Sequence, residues 1–523
     1  MSLRNRFVLP VLALLSIAML VGCGSSSNKA TAPPTGGFSV SNFNGAYAFS
    51  AVGIDAIGAP FALEGSLQAN GSGGITGGAL DLNDLSFSSG PIVGTAITGG
   101  HYSVTSDGRG QATLNTSPGT IVLDFVLLNN SHALVTEFDS NGTGSGTMDI
   151  ESSPTQAQFA GSYAFSFGGS DNNGNAFATA GSFTLDANGN ITAGVQDLND
   201  AGVVYANLPL TGSVTIGSST APGTATLTAT GSPFGSLAFD VYAVDSTHIK
   251  LVESDVVAVL AGDAYTQQGA SLPASATTLA FMMQGGNSSS IIGTAGYMAI
   301  DGAGSVPSGA QDINLNGTVP GAPLSFTGSY APGGSVGLRN VFTLTGFSNA
   351  VSFAAYPTTS AGVLMIDIDG TGTLLTGGAM VQASGASIQS GQGYGMNVAA
   401  VNIGNLSGLF EEDDIAEFAT TSTTAIGLVD YNDEGTLTFD QHFTGNYSAS
   451  SSGAGTLTTS DSINGNFYAI DGSSLFYLET DTNQVGTGSI LLQTPGAQVS
   501  AASRVAVMHA SPAGRAALRT RSR

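Results

Sequence analysis

The sequence contains little cysteine, tryptophan or positive charge. Its 523 residues include one cysteine, no tryptophan and only two lysines, Lys29 and Lys250. One cysteine cannot form a disulfide within the chain, so each domain must be held together by its own apolar core. Long helices would need Ala, Leu, Glu and Lys at 3.6-residue spacing, and the scarcity of lysine argues against them.

Glycine and acidic residues are abundant. The chain has 74 glycines, and its 36 acidic residues face only 11 basic ones. This composition is typical of a turn-rich chain of strands. The acidic body, which we place between the linker and Val499, should repel nucleic acid and anionic lipid, so no nucleic-acid partner is predicted.

The first 22 residues have the layout of an export signal. Arg4 and Arg6 precede an apolar stretch, residues 7–21, that is too short for a comfortable membrane span. The stretch ends in the tetrapeptide Leu20–Cys23, which reads Leu-Val-Gly-Cys. This layout resembles the signal peptide and lipobox of bacterial lipoproteins. The alternatives are an ordinary signal peptide with an incidental cysteine, or a short anchor that is never cleaved.

The resemblance implies where in the cell the protein is located. Residues 1–22 would be removed, and Cys23 would carry lipid as the first residue of an exported, membrane-anchored lipoprotein. Gly24 is not the aspartate that retains many Gram-negative lipoproteins in the inner membrane, so the likeness favours the outer membrane. More than one acyl chain gives stable anchoring.

Two segments flank the body of the chain. Residues 23–38 are rich in Ser, Thr, Pro, Ala and Gly and read as a flexible linker behind the lipid. Residues 499–523 carry five arginines and no acid, and we interpret them as a disordered basic tail. Docking of this tail on the acidic body or on anionic envelope polymers is the alternative.

The body is an internal repeat. Residues 43–49, Phe-Asn-Gly-Ala-Tyr-Ala-Phe, recur 116 positions later as residues 159–165, Phe-Ala-Gly-Ser-Tyr-Ala-Phe. At the same offset Gly65 matches Gly181, and Asp-Leu-Asn-Asp at residues 81–84 recurs at residues 197–200. Two weaker copies follow. The copies are of domain size, which predicts four separate domains arranged like beads on a string. We also expect a monomer. The predicted ranges are 39–153, 154–270, 271–386 and 387–498.

Within a copy, strands with period two are interrupted by Gly, Asn or Asp every 8 to 12 residues. The sequence therefore predicts an all-β fold of four tandem antiparallel β-meander domains, with about eight strands each. Sequential hairpins favour a small up-and-down barrel that resembles lipocalin or avidin architecture, and a β-sandwich is the alternative.

The sequence contains few candidate catalytic motifs. The chain has no second cysteine for a thiolate metal site and no His-Glu-x-x-His. Residues 333–337 fit Gly-x-Ser-x-Gly, but they occupy the position of a hairpin rather than a strand-to-helix turn, so we interpret them as an ordinary turn. His132 and His248 start equivalent strands and are interpreted as structural. The protein is predicted not to be an enzyme.

Acidic and amide side chains form the remaining candidate sites. Asp186, Asn188 and Asn190 supply oxygen ligands suited to calcium, as do the repeated Asp-x-Asn motifs and the acidic run at residues 411–414. Asp and Asn also favour turns, and a structural turn is the preferred interpretation, with no cofactor required. Each copy also has an acid-x-Asp pair, which we expect to keep a sheet edge soluble or to bind a cation. The pairs are Glu137/Asp139, Glu253/Asp255, Asp367/Asp369 and Glu479/Asp481.

These observations favour a non-catalytic cell-envelope lipoprotein. Its tandem β domains would serve surface binding to envelope glycan or to a surface protein, adhesion, or a spacer role. The alternative is a lipoprotein whose barrels hold a small apolar or sugar ligand. An envelope hydrolase is a third hypothesis. The chain organisation resembles Gly-rich tandem-repeat surface lipoproteins of bacteria, a likeness that carries no activity to transfer.

Overall fold

The computed structural model contains four closed antiparallel barrels of eight strands each, in chain order. It describes residues 37–267, 271–287, 289–332, 339–347, 352–359, 362–403, 410–461 and 463–497. The predicted tandem β-meander domains of about eight strands are confirmed, and they are barrels rather than sandwiches. A closed barrel leaves no free strand edge.

The strands of each barrel pair in sequence order, and the last strand pairs with the first. Barrel 1 comprises β1 (Asn44–Asp55), β2 (Pro60–Asn70), β3 (Gly74–Asp84), β4 (Ile92–Val104), β5 (Arg109–Thr116), β6 (Thr120–Asn129), β7 (His132–Asp139) and β8 (Gly142–Ile150). Barrel 2 comprises β9 (Gly161–Asp171), β10 (Ala176–Leu185), β11 (Ile191–Asp200), β12 (Val203–Thr215), β13 (Gly223–Ala229), β14 (Ser236–Asp245), β15 (His248–Glu253) and β16 (Ala258–Thr266).

The third and fourth barrels repeat this order. Barrel 3 comprises β17 (Thr277–Asn287), β18 (Ser290–Ile300), β19 (Ser305–Leu315), β20 (Leu324–Pro332), β21 (Asn340–Thr345), β22 (Ser352–Pro357), β23 (Gly362–Asp367) and β24 (Thr373–Val381). Barrel 4 comprises β25 (Gly393–Asn402), β26 (Phe410–Thr420), β27 (Thr424–Asp433), β28 (Thr436–Ala449), β29 (Ala454–Thr459), β30 (Gly465–Ala469), β31 (Ser474–Glu479) and β32 (Gln484–Leu492).

An aromatic ring over a glycine explains one repeated position. Phe49 of β1 pairs with Gly65 of β2, and a Cβ atom at Gly65 would lie only 2.6 Å from the Phe49 ring. Phe165 and Gly181 repeat this pairing in barrel 2, where the distance would be 2.5 Å. The glycine therefore lets the ring lie flat across the neighbouring strand inside the barrel.

The two ends of each barrel differ. The chain enters and leaves at the end that we call the closed end. In barrel 1 a short 3-10 helix, Val40–Asn42, leads there into Phe43, which is fully buried against Tyr47, Tyr102 and Phe125. Barrel 2 has a matching 3-10 helix, Gln156–Phe159. The opposite end, where the first and second, third and fourth, fifth and sixth, and seventh and eighth strands are joined, is the mouth.

The four barrels pack against one another in a closed ring, which corrects the expectation of beads on a string. An asparagine in the third strand of each barrel donates its side-chain amide to two main-chain carbonyls flanking the last hairpin of the next barrel. The bonds are Asn83 to Glu253 and Ala258, Asn199 to Asp367 and Thr373, Asn314 to Glu479 and Gln484, and Asn432 to Glu137 and Gly142, all between 2.7 and 3.0 Å. The fourth barrel thus binds the first.

The aspartate two residues before each asparagine also crosses the interface. Three of the four accept a hydrogen bond from a tyrosine of the next barrel: Asp81 from Tyr242, Asp197 from Tyr356 and Asp312 from Tyr468. At the fourth interface Arg109 of barrel 1 takes this role, 3.4 Å from Asp430. The Asp-x-Asn motifs therefore lie in strands and join barrels, and their interpretation as turns is wrong.

The last described residues reinforce the closure between barrels 4 and 1. The side chain of Gln493 donates to the carbonyls of Asp107 and Leu127, and the main chain of Thr494 donates to Leu128. Apolar contact between Val126, Leu128, Leu134, Ile415 and Leu491 fills this interface. Ring closure therefore combines hydrogen bonds with buried apolar surface, as in a stable domain interface.

Candidate functional site at the mouth of the first barrel

Barrel 1 holds a cavity of about 520 Å³ at its mouth. This volume lies in the range of pockets that enclose a small organic molecule. The walls are apolar and come from facing strands of the barrel. They include Phe61, Leu63, Leu80, Leu82, Ile92 and Ile121.

The loop between the fifth and sixth strands explains why this mouth is open. In barrel 2 this loop carries Phe234, which stacks on Phe177 with 4.5 Å between ring centroids. In barrel 3 it carries Phe347, buried in the core, and in barrel 4 it carries Ile463, also buried. In barrel 1 the loop is only Ser117–Gly119, and its central residue Pro118 lines the cavity instead of filling it.

Four carboxylates line the cavity: Asp55, Asp84, Glu137 and Asp139. The three aspartates cap the mouth loops. Oδ1 of Asp55 accepts from the amide of Ala59 at 2.6 Å, Oδ1 of Asp84 from that of Ser86 at 2.7 Å, and Oδ1 of Asp139 from that of Asn141 at 2.8 Å. Turn chemistry therefore fixes the positions of these acids.

Glu137 lies deeper. Its side chain is 5% exposed, and its Oε2 atom has no hydrogen-bond partner. Burial, with the neighbouring Asp139 adding to it, raises the pKa of Glu137 well above its ordinary value. Burial also raises the pKa of Asp84. Glu137 and Asp84 are thus desolvated carboxyl groups that are costly to ionise unless a positive charge arrives.

Within the described residues, no positively charged side chain lines this site. Of the residues that the structure describes, only Arg109, Lys250 and Arg339 are lysine or arginine, and each is engaged between barrels. Arg109 reaches Asp430 and Asp440 of barrel 4, and Arg339 reaches Asp197 of barrel 2 at 2.7 Å. Lys250 is described below. The cavity lining includes no histidine, lysine or arginine.

The contact between barrels 4 and 1 holds the turn that follows Glu137. Asn432 of barrel 4 donates to the main-chain carbonyls of Glu137 at 2.8 Å and Gly142 at 2.7 Å. These carbonyls flank the turn that joins β7 to β8. The position of Glu137 and Asp139 therefore depends on the neighbouring barrel as well as on barrel 1 itself.

The acid-x-Asp pairs occupy this position in every barrel. Glu253, Asp367 and Glu479 are buried like Glu137, and burial raises the pKa of all four, with Asp367 reaching about 8. The expectation that these pairs keep a sheet edge soluble is wrong, because the barrels have no open edge and the first acid of each pair is buried near the mouth.

The acidic run at residues 411–414 lies in β26, not in a turn. Its residues alternate across the strand. Asp413 faces barrel 1, where its carboxylate accepts from Thr143 at 2.8 Å and Ser145 at 2.6 Å. Asp414 is buried beside other acids of barrel 4, Glu412 and Glu479 among them, and burial raises its pKa well above the ordinary value.

The calcium candidates lie at the turn between β10 and β11. Oδ1 of Asp186 accepts from the amides of Asn188 at 2.8 Å and Asn190 at 2.9 Å, while Oδ2 accepts from the side chain of Asn190 at 2.8 Å. These bonds, which lower the pKa of Asp186, account for the turn without an ion. Within the described ranges, no group of three or more His, Cys, Asp or Glu side chains is arranged to hold a metal ion.

His132 and His248 begin β7 and β15 as predicted, and they belong to one network between barrels 1 and 2. His132 lies 2.7 Å from Asp149, and His248 lies 2.6 Å from Asp263. Lys250, which is fully buried, lies 3.2 Å from Asp263 and 3.6 Å from Asp149. The equivalence of the histidines was visible in the sequence, but their convergence on one lysine was not.

Some predicted features lie outside the described residues. They are the signal, Cys23, the linker up to Gly36, the Gly333–Gly337 pattern and the basic tail. Among the described residues, no helix has the length and apolar character needed to cross a membrane.

Comparisons with known proteins add little. No family model and no curated protein matches the chain. Among solved structures, a mutant of transferrin binding protein B from Haemophilus parasuis Hp5 aligns at 11% identity, over 70% of this chain and 83% of the other, with a TM-score of 0.19. Intact Ap-TbpB, with its N and C lobes, aligns at 10% identity over 69% and 84%, with a TM-score of 0.17. Scores this low carry no inference about function.

Proposed function

We propose that the protein is a non-catalytic cell-envelope lipoprotein, anchored by lipid at Cys23, that presents a ring of four β-barrels for binding at a surface. The observation that supports this proposal is the placement of the two barrel ends. The chain enters barrel 1 at its closed end, through Gly37 and Phe38, whereas the acidic cavity opens at the mouth. With the linker at one end of the barrel and the cavity at the other, the cavity can be presented to a ligand or partner.

All four mouths lie on the same face of the ring. Each interface asparagine lies just before a mouth loop of its own barrel, and it binds the carbonyls that flank a mouth loop of the next. Because this pairing repeats around the ring, the mouths share one side and the closed ends share the other. The described chain begins at Gly37 on the side of the closed ends, and we propose that the mouth face is the side left free for binding.

The geometry favours binding over a passive spacer role. A spacer needs rigidity alone, whereas barrel 1 also keeps an open cavity lined by Glu137, a buried acid whose Oε2 atom has no hydrogen-bond partner. Small-ligand binding by a barrel, the alternative function, is supported by this cavity. Phe234 in barrel 2, Phe347 in barrel 3 and Ile463 in barrel 4 occupy the equivalent loop, so this support comes from the first barrel.

The anchor is tested by metabolic labelling with an alkyne fatty acid, comparing the natural chain with Cys23→Ala. We expect label in the natural chain only, co-fractionation with the outer membrane, and release of the variant into the soluble fraction. Equal labelling of both chains, or release of both, would overturn the lipoprotein proposal.

The orientation is tested on cells. Single cysteines introduced at Ser117, in a mouth loop of barrel 1, and at Ser72, at its closed end, would be probed with a membrane-impermeant maleimide in the Cys23 background. We expect faster labelling at the mouth. Faster labelling at Ser72 would contradict the orientation without touching the anchor.

A further inference from the structure

The open mouth of barrel 1 combines three properties that together specify a ligand. Its walls are apolar, its volume is about 520 Å³, and the described residues that line it include four acids and no base. Oε2 of Glu137, in a side chain that is 5% exposed, has no hydrogen-bond partner. The equivalent acids Glu253, Asp367 and Glu479 also have a carboxyl oxygen without a partner, and in barrel 1 that oxygen belongs to a residue lining the open cavity. An unmet buried group costs free energy.

We propose that this cavity binds a small amphipathic organic amine, with its apolar body between Phe61 and the leucine wall and its ammonium group at Glu137. The inference deepens the proposed binding function and rests on it only in taking the mouth as the binding face. The ligand class follows from charge complementarity, since an ammonium supplies a donor to Oε2 of Glu137.

A compact metal ion fits this site less well than an organic cation does. The carboxylates of Asp55, Asp84 and Asp139 already accept main-chain hydrogen bonds from the mouth loops. No described group of acids is arranged to coordinate an ion. The apolar wall has no ligand atoms for a metal ion, but it would bury the hydrocarbon body of an amine.

Binding should release a proton. Burial raises the pKa of both Glu137 and Asp84, and the titratable groups facing the cavity are these two with Asp55 and Asp139. An ammonium group stabilises the ionised forms of Glu137 and Asp84, so a proton held by these two acids in the empty site must leave. Affinity is therefore expected to rise between pH 5 and pH 8, while the amine itself stays charged.

The absence of tryptophan makes an indole probe suitable. Tryptamine would be titrated into the purified full chain and its fluorescence anisotropy followed, with indole-3-propionate as the anionic and 3-ethylindole as the neutral counterpart. We expect one tryptamine per chain, weaker binding of 3-ethylindole and none of indole-3-propionate. Equal binding of all three, or no binding of tryptamine, would overturn the inference.

Variants locate the site. Glu137→Gln and Asp84→Asn should each weaken tryptamine binding about tenfold, as for loss of one charge-assisted contact. Glu253→Gln is the matched control, because Glu253 holds the same place in barrel 2, where Phe234 fills the mouth. Its affinity should not change. If Glu253→Gln has the same effect as Glu137→Gln, or if neither mouth variant has an effect, the site is not the mouth of barrel 1. Failure here would leave the fatty-acid labelling of Cys23 unaffected.

Discussion

Asn432 of the fourth barrel donates its side-chain amide to the carbonyl oxygen of Gly142 in the first barrel, at 2.7 Å. The same amide reaches the carbonyl of Glu137 at 2.8 Å. The final copy of the repeat therefore holds the loop beside the cavity of the first. Ring closure and the candidate site are parts of one structure.

Asn432→Ala should destabilise the ring and loosen the mouth. The substitution leaves two buried carbonyls without donors, which costs about 1 to 3 kcal/mol. Chemical denaturation measures the loss, and tryptamine binding should weaken in parallel. Asn188→Ala, at an exposed turn of barrel 2, is the control and should change neither quantity. An unchanged Asn432→Ala would mean that the ring does not depend on this contact.

Lys250→Met should be among the most destabilising substitutions. The ammonium group is buried between barrels 1 and 2, donates to Thr147 at 2.7 Å, and lies within 3.6 Å of Asp149 and Asp263. Removing it leaves two facing carboxylates, at a cost of about 3 to 5 kcal/mol.

The triple variant Lys250→Met, Asp149→Asn, Asp263→Asn separates charge from packing. We expect it to recover much of the stability lost in Lys250→Met, as measured by urea unfolding. A loss in Lys250→Met below about 1 kcal/mol, the range of an exposed ion pair, would contradict a buried network.

Stability should decrease as pH rises from mildly acidic to mildly alkaline. Burial raises the pKa of Asp81 and Asp413 to about 7, and that of Asp124 and Asp367 to about 8. Since these pKa values exceed those of the unfolded chain, the folded chain binds more protons in between. The free energy of unfolding then falls from about pH 4 to about pH 8.

One buried acid acts in the opposite direction. Burial alone would raise the pKa of Asp149, but the interactions with His132 and Lys250 outweigh it and hold the pKa well below its usual range. Asp149 therefore adds stability at neutral pH that is lost in strong acid. Between pH 5 and pH 8 the acids with raised pKa values dominate, so the melting temperature should be higher at pH 5 than at pH 8. Asp124→Asn removes one of these acids and should reduce the difference. A higher melting temperature at pH 8 would contradict the assignment.

Phe234→Ala should open the mouth of barrel 2. Phe234 is half-buried against Phe177, so its removal should cost less than about 3 kcal/mol, the lower limit for a buried phenylalanine. The emptied mouth retains Glu253, and tryptamine titration should now report a second site.

The reverse change tests the same idea in barrel 1. Pro118→Phe places a ring in the loop where barrels 2 and 3 carry theirs, and it should abolish tryptamine binding. A second site absent from Phe234→Ala, together with unchanged binding by Pro118→Phe, would show that this loop does not control access.

The sequence predicts the barrels well because their signals are local. The turn at Asp186 is predicted from Asp and Asn alone, and β15 coincides with the alternating segment from His248 to Glu253. Sequential hairpins of this kind favour closure of a meander into a barrel.

The ring could not be predicted in the same way, because from the sequence alone an Asp-x-Asn motif is typical of a turn. One signal was present: Asp430 and Asn432 keep the motif in a copy whose other features have drifted. The open mouth had a signal too, since Pro118 stands where Phe234 and Phe347 stand in later copies. Only the strand pairing shows that these loops are equivalent.

Closure of the ring also constrains how such a chain can evolve. An open array of repeats can gain or lose a unit at either end. Here Asn432 of the last barrel must bond to Gly142 of the first, so the number of copies is fixed at four. Within that number each interface can diverge independently: at one of them Val126 occupies the position of the tyrosine, and Arg109 from the neighbouring strand contacts the aspartate instead. The duplicated barrels are thereby free to specialise while their count stays fixed.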